Sequence, residues 1–164
     1  MPSVADMSVG SLSGDNFVPP TRVAVERLVP AASRALTALD EAVRKTHLER
    51  GLLELVRLRT AQINGCAYCV DMHSRDALAA GETERRVLAL PVWRETPFFT
   101  ARQRAALELT EAMTRLADHP VSDEIIDRAA AQFSERELAE LIWVITVINA
   151  WTRLGATARP WALT

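Results

Sequence analysis

Apolar residues recur at three- and four-residue spacing from about residue 21 to the end of the chain, the period of a helix with one buried face. Stretches 21–28 and 30–46 carry the pattern, and Pro30 suits a first helical turn. The next stretch, 48–63, reads LERGLLELVRLRTAQI and stops at Asn64-Gly65, two residues that tolerate the left-handed conformation that closes a helix. A helix then starts at Cys66 and runs to Ala80, with Gly81 as its stop, and a short one follows at 83–90. PVWRETPFF, 91–99, carries two prolines and reads as a loop. Thr100 with Gln103, and Ser134 with Glu137, are capping boxes that open helices over 101–117 and 135–155. Ser122 and the acids after it start another that ends near 132. No stretch alternates in the manner of a strand. The expectation is an all-α fold, with a helical hairpin around Asn64-Gly65 at its centre.

Composition supports this picture. Apolar residues are 49% of the chain and aromatics only 5%, with Ala and Leu dominant, which favours helix over strand. At 164 residues the chain suits one domain, by the rule of roughly 150 residues each. Residues 1–20 are rich in Ser, Gly, Asp and Pro and read as an extended arm, leaving 21–164 as the single domain. Nineteen basic and 21 acidic residues are interleaved, so no basic stripe marks a nucleic-acid partner. The first residues lack the basic start and apolar run of a signal peptide, and no run of about 18 uncharged apolar residues suggests a membrane span. A cytoplasmic, reducing setting is the expectation. There, a close cysteine pair is more often catalytic or metal-binding than a permanent staple.

That pair lies in NGCAYCVDMHS, which holds both cysteines and one of the three histidines. If the helix begins at Cys66, then Cys69 and His73 follow at i+3 and i+7 and share one face. A helix amino terminus favours thiolate over thiol, and the thiolate is the reactive form. One cysteine could attack an electrophile and the other close a disulfide. His73, one turn beyond Cys69, suits a proton acceptor, and Glu54, twelve residues before Cys66, is the candidate to orient it once the hairpin folds back. Zinc bound by Cys66, Cys69 and His73 is the rival reading, with a fourth ligand to be found elsewhere. Inert core cysteines are the third. His47 and His119 lie beside breaks and read as surface residues. Trp143, Trp151 and Phe133 read as core or subunit contact, and Tyr68 as packing on another side of the helix.

These residues resemble a known family. ELVRLRTAQINGCAYCVDMHSRDALAAGE is similar to the core of the AhpD-like alkylhydroperoxidases, within the carboxymuconolactone decarboxylase superfamily. Their signature is a glutamate, eleven residues, CxxC, three residues and a histidine; Glu54, Cys66, Cys69 and His73 match at every spacing. The likeness extends over roughly 25–157. The resemblance implies an all-helical bundle that forms homo-oligomers, trimers or hexamers, and reduces organic hydroperoxides. It implies Cys69 as the peroxidatic cysteine, Cys66 as the resolving one, and His73 with Glu54 as the proton relay. It implies no metal and no flavin; electrons would come from a thiol partner such as a lipoyl or thioredoxin-like protein. Two positions depart from relatives. Tyr68 stands where the best-known peroxidase has a second histidine, and Thr152 stands where relatives often carry asparagine. A redox-sensing helical subunit without catalysis, or a disulfide reductase, remain as alternative functions.

Overall fold

A computed structural model describes residues 19–162, and the arm expected over 1–20 lies almost wholly outside them. The described residues are helical and contain no strand. In chain order the helices are α1 (Val25–Leu28), α2 (Pro30–Val43), α3 (Arg50–Asn64), α4 (Ala67–Ala79), α5 (Glu84–Ala89), a 3₁₀ segment (Leu90–Glu95), α6 (Ala101–Thr114), α7 (Asp123–Ala130) and α8 (Glu135–Ala158). Pro30 occupies the first turn of α2. Both capping boxes form: Thr100 and Ser134 accept from the backbone N–H of Gln103 and Glu137, whose side chains accept in return.

The centre of the domain is α3. Every residue from Leu52 to Ala61 is buried, and the helix packs against α4, α6 and α8. Its leucines divide between two cores. Leu52, Leu53 and Val56 meet α6 and α8 through Leu109, Val144 and Ile145. Leu55 and Leu58 meet Leu90, Trp93, Phe99 and Leu107. Burial of each such side chain stabilises the fold by roughly 1.5–3 kcal/mol. A helix buried all round must also find partners for its charges. Arg59 Nε donates to Glu111 Oε1 of α6 at 2.7 Å, and Arg57 Nη1 donates to Glu54 Oε1 at 2.7 Å.

The stretch 91–99 is not the open loop expected of its prolines. It begins as the 3₁₀ segment, interrupted at Val92, and buries Trp93. Tertiary partners hold it. Trp93 Nε1 and the Arg94 guanidinium donate to Glu111, and Arg104 donates to the carbonyls of Trp93, Arg94 and Thr96. The last helix, α8, turns one face to the core and leaves Trp143 about half exposed. By length and composition α8 could cross a membrane, with mean hydropathy 1.3, but half of its most apolar window is buried within the domain.

Candidate active site

Gly65 makes the turn that builds the site. Its φ of 68° is left-handed, where glycine is at ease, and its N–H closes α3 on the Ala61 carbonyl. The chain re-enters a helix at once. Cys66 is the N-cap of α4, and its sulfur accepts from the backbone N–H of Cys69 at 3.3 Å. The two cysteines are joined as a disulfide with Cα atoms 5.3 Å apart. Asn64 braces the turn from behind: its Nδ2 donates to Asn149 Oδ1 at 3.0 Å and to Thr152 Oγ1 at 2.8 Å. Thr152 thus acts in the packing that supports the hairpin.

Two turns into α4, His73 is buried, and its Nδ1 lies 2.8 Å from Glu54 Oε2 across the hairpin. Burial pushes the Glu54 carboxyl up, but the hydrogen bond with His73 and the charge of Arg57 outweigh it and hold the group below the ordinary carboxylate value. Glu54 is therefore a carboxylate at neutral pH and can only accept, so Nδ1 carries the hydrogen. In the neutral ring, Nε2 is then the free base. That Nε2 is buried and has no hydrogen-bond partner.

Both cysteines are nearly inaccessible, but they differ in what they face. Cys69 and His73 line a cavity of about 200 Å³ whose walls include Arg57, Tyr68, Met72 and Trp151. Cys66 does not line it; its sulfur lies against Gly155 of α8. A Cβ at Gly155 would sit 2.5 Å from that sulfur.

All four residues singled out from sequence, Glu54, Cys66, Cys69 and His73, come together here. His47 and His119 are exposed and apart from the site, although His47 Nδ1 meets Glu140 at 2.8 Å. Tyr68 is a correction: it does not point away but lines the cavity and packs on Trp161, ring centroids 5.2 Å apart. Sequence reasoning also passed over Gly155 and Trp161. For Gly155 there was a signal, because glycine inside a helix costs about 1 kcal/mol against alanine and marks close approach. Trp161 had none.

Metal fits these donors poorly. In the oxidised form, zinc cannot be held by Cys66, Cys69 and His73, because the two thiolates it needs are joined in the disulfide. Glu54, His73 and Asp76 offer ligand atoms within 4.8 Å of one another. Yet both Glu54 oxygens are already engaged, one by Arg57 and one by His73 Nδ1, and the Arg57 charge repels a cation.

The carboxymuconolactone decarboxylase family model matches residues 30–112, from α2 into α6. The uncharacterized protein YdfG of Bacillus subtilis strain 168 is 34% identical over 134 residues, which cover 82% of this chain and 91% of that protein. Among solved structures, a protein of unknown function from Agrobacterium tumefaciens, named as a candidate antioxidant defence protein AhpD, superposes with a TM-score of 0.84 at 33% identity. The match covers 88% of this chain and 99% of that one. The apo debrominase Bmp8 shares the fold at a TM-score of 0.71 and 21% identity, over 79% of this chain and 70% of its own.

Proposed function

The chain belongs to the carboxymuconolactone decarboxylase family, and we propose that it is a thiol-dependent peroxidase that reduces organic hydroperoxides. One observation carries this reading. The only unpartnered nitrogen of His73 belongs to a ring that lines the same cavity as Cys69, while its other nitrogen is fixed on Glu54. Such a ring can take a proton from a thiol and return it to a leaving oxygen. The Agrobacterium relative, named as a candidate for antioxidant defence, points the same way.

In this reading the reduced enzyme begins with the Cys69 thiol giving its proton to His73 Nε2. The thiolate attacks the outer oxygen of the hydroperoxide. The O–O bond breaks, the alkoxide takes the proton back from His73, and an alcohol leaves. Cys69 is now a sulfenic acid. The Cys66 sulfur attacks it, water leaves, and the disulfide closes. A dithiol donor then returns two electrons by thiol–disulfide exchange. Glu54 stabilises the imidazolium during the first step, and Arg57 keeps Glu54 ionised.

Reaction of reduced protein with one equivalent of cumene hydroperoxide, followed by mass analysis, tests this. Wild type should lose two hydrogens as the disulfide forms. Cys66→Ser should gain one oxygen and stop, and Cys69→Ser should be unchanged. Full peroxide consumption by Cys69→Ser would overturn the assignment.

A further inference from the structure

The two buried cysteines are unequally placed. The cavity of about 200 Å³ reaches Cys69 but not Cys66. On the other side the Cys66 sulfur is covered by Gly155, and Trp161 packs in the same place, its ring 3.0 Å from where a Gly155 Cβ would stand. Ala61, Cys66 and Cys69 form one apolar cluster with Tyr68, Ala156 and Trp161. A second cavity, of about 160 Å³, is lined by Gly65 and Ala67, the neighbours of Cys66 in sequence, and by Gly155. Tyr68 and Trp161 are common to both cavities. The two rings are thus the wall between them.

Trp161 follows α8 and is held there by distant residues. Arg159, in the left-handed conformation at φ 47°, ends α8 and redirects the chain. The backbone N–H groups of Arg22 and Val23 donate to the Ala158 carbonyl at 2.9 and 3.1 Å, which fixes the end of the helix. Trp161 Nε1 then donates to Glu26 Oε1 of α1 at 3.1 Å. Its ring also meets Trp151 edge-on, with centroids 5.8 Å apart. Glu26 is exposed, so this bond is made at the surface and is easily exchanged for water.

We propose that Trp161, latched by Glu26, is a gate that shuts the Cys66 sulfur away from partners and makes Cys69 the one sulfur open to attack. Rates of thiol–disulfide exchange depend on access and on which sulfur is struck. With the gate closed, a donor thiolate attacks Cys69. A donor–Cys69 bond forms, the Cys66–Cys69 bond breaks, and Cys66 leaves as a thiolate favoured by its place at the helix amino terminus. The second thiolate of a dithiol donor attacks the donor sulfur, closes the donor's own disulfide and releases Cys69. Two electrons pass from donor to protein. The donor step rests on the peroxidase reading only for its purpose, since the gate itself concerns access.

Single-thiol variants test the gate without turnover. Cys69→Ser leaves Cys66 alone, and Cys66→Ser leaves Cys69 alone. Each is titrated with 5,5′-dithiobis(2-nitrobenzoate), and limiting rates are taken at a pH where the thiol is fully ionised. Cys66 should react on the order of tenfold slower than Cys69. Adding Trp161→Ala should raise the Cys66 rate by about that factor, and by more than it raises the rate of Cys69, whose cavity the ring also lines. Glu26→Ala, at an exposed position on the wall of the Cys69 cavity and outside the core, should raise the Cys66 rate by a smaller factor with the fold intact by circular dichroism. A Cys66 rate equal to that of Cys69 behind the gate, or one indifferent to both substitutions, overturns the proposal. Peroxide reduction can fail while this labelling pattern holds, in which case only the peroxidase reading falls.

Discussion

Gly155→Ala should change the redox balance of the site more than its fold. The added Cβ would lie 2.5 Å from Cys66 Sγ, 3.0 Å from the Trp161 ring and 3.5 Å from Cys69 Sγ. Overpacking of this kind costs about 1–3 kcal/mol. How much is felt depends on the oxidation state. In the disulfide, Cys66 Sγ is tied to Cys69 and cannot rotate away, so α8 must move. In the dithiol form the Cys66 side chain can turn about χ1 and relieve the contact. The oxidised form therefore bears most of the cost. For a two-electron couple about 30 mV corresponds to 1.4 kcal/mol, so the reduction potential should become less negative by roughly 20–65 mV. Equilibration in dithiothreitol or glutathione buffers, read by thiol alkylation, measures that shift. Urea unfolding of oxidised and reduced protein measures the two stabilities separately. Equal destabilisation of both forms, or a potential unmoved, would refute the reasoning that α8 rests on this sulfur.

Other expectations follow from the buried charges and the exposed faces. His73→Ala should slow the reaction of reduced protein with hydroperoxide by roughly 10²–10⁴-fold, and Glu54→Gln by less, in stopped-flow Trp fluorescence; an unchanged rate for His73→Ala removes it from the chemistry. Glu111→Ala should cost roughly 3–5 kcal/mol in urea unfolding, because Arg59 and Trp93 Nε1 would be left buried without their acceptor; a loss under about 1 kcal/mol contradicts this. Glu54 and Glu111 are both held below 4.5, burial raising each and its hydrogen bonds more than offsetting that. Their contribution is therefore complete above pH 4.5 and is lost as pH falls through their folded values, so the melting temperature should drop across that range and the drop should shrink in Glu111→Gln. Light scattering should give a small multiple of 18.1 kDa, since α8 leaves Trp143 uncovered beside Leu39 and Ala139; a mass of 18.1 kDa at micromolar concentration would exclude the assembly.

The local events of this fold were legible in the sequence. Thr100 with Gln103, Ser134 with Glu137, Pro30 and Asn64-Gly65 act through backbone groups within four residues, so each helix boundary they set was readable without knowing the rest of the chain. The spacing of Glu54, Cys66, Cys69 and His73 likewise needed only two helices and one tight turn to become a site. Other features were decided by partners far away in sequence. The 3₁₀ segment at Leu90–Glu95 is held by Glu111, and Arg59 is buried because that same carboxylate lies 52 residues on. Trp161 packs on the cysteine cluster while its Nε1 donates to Glu26, 135 residues earlier. Periodicity shows which face of a helix can be buried, but not which helix the others surround, so the charged α3 rather than the more apolar α8 stands at the centre. A charge enters a core only where a partner meets it, and that meeting exists only once the chain has folded.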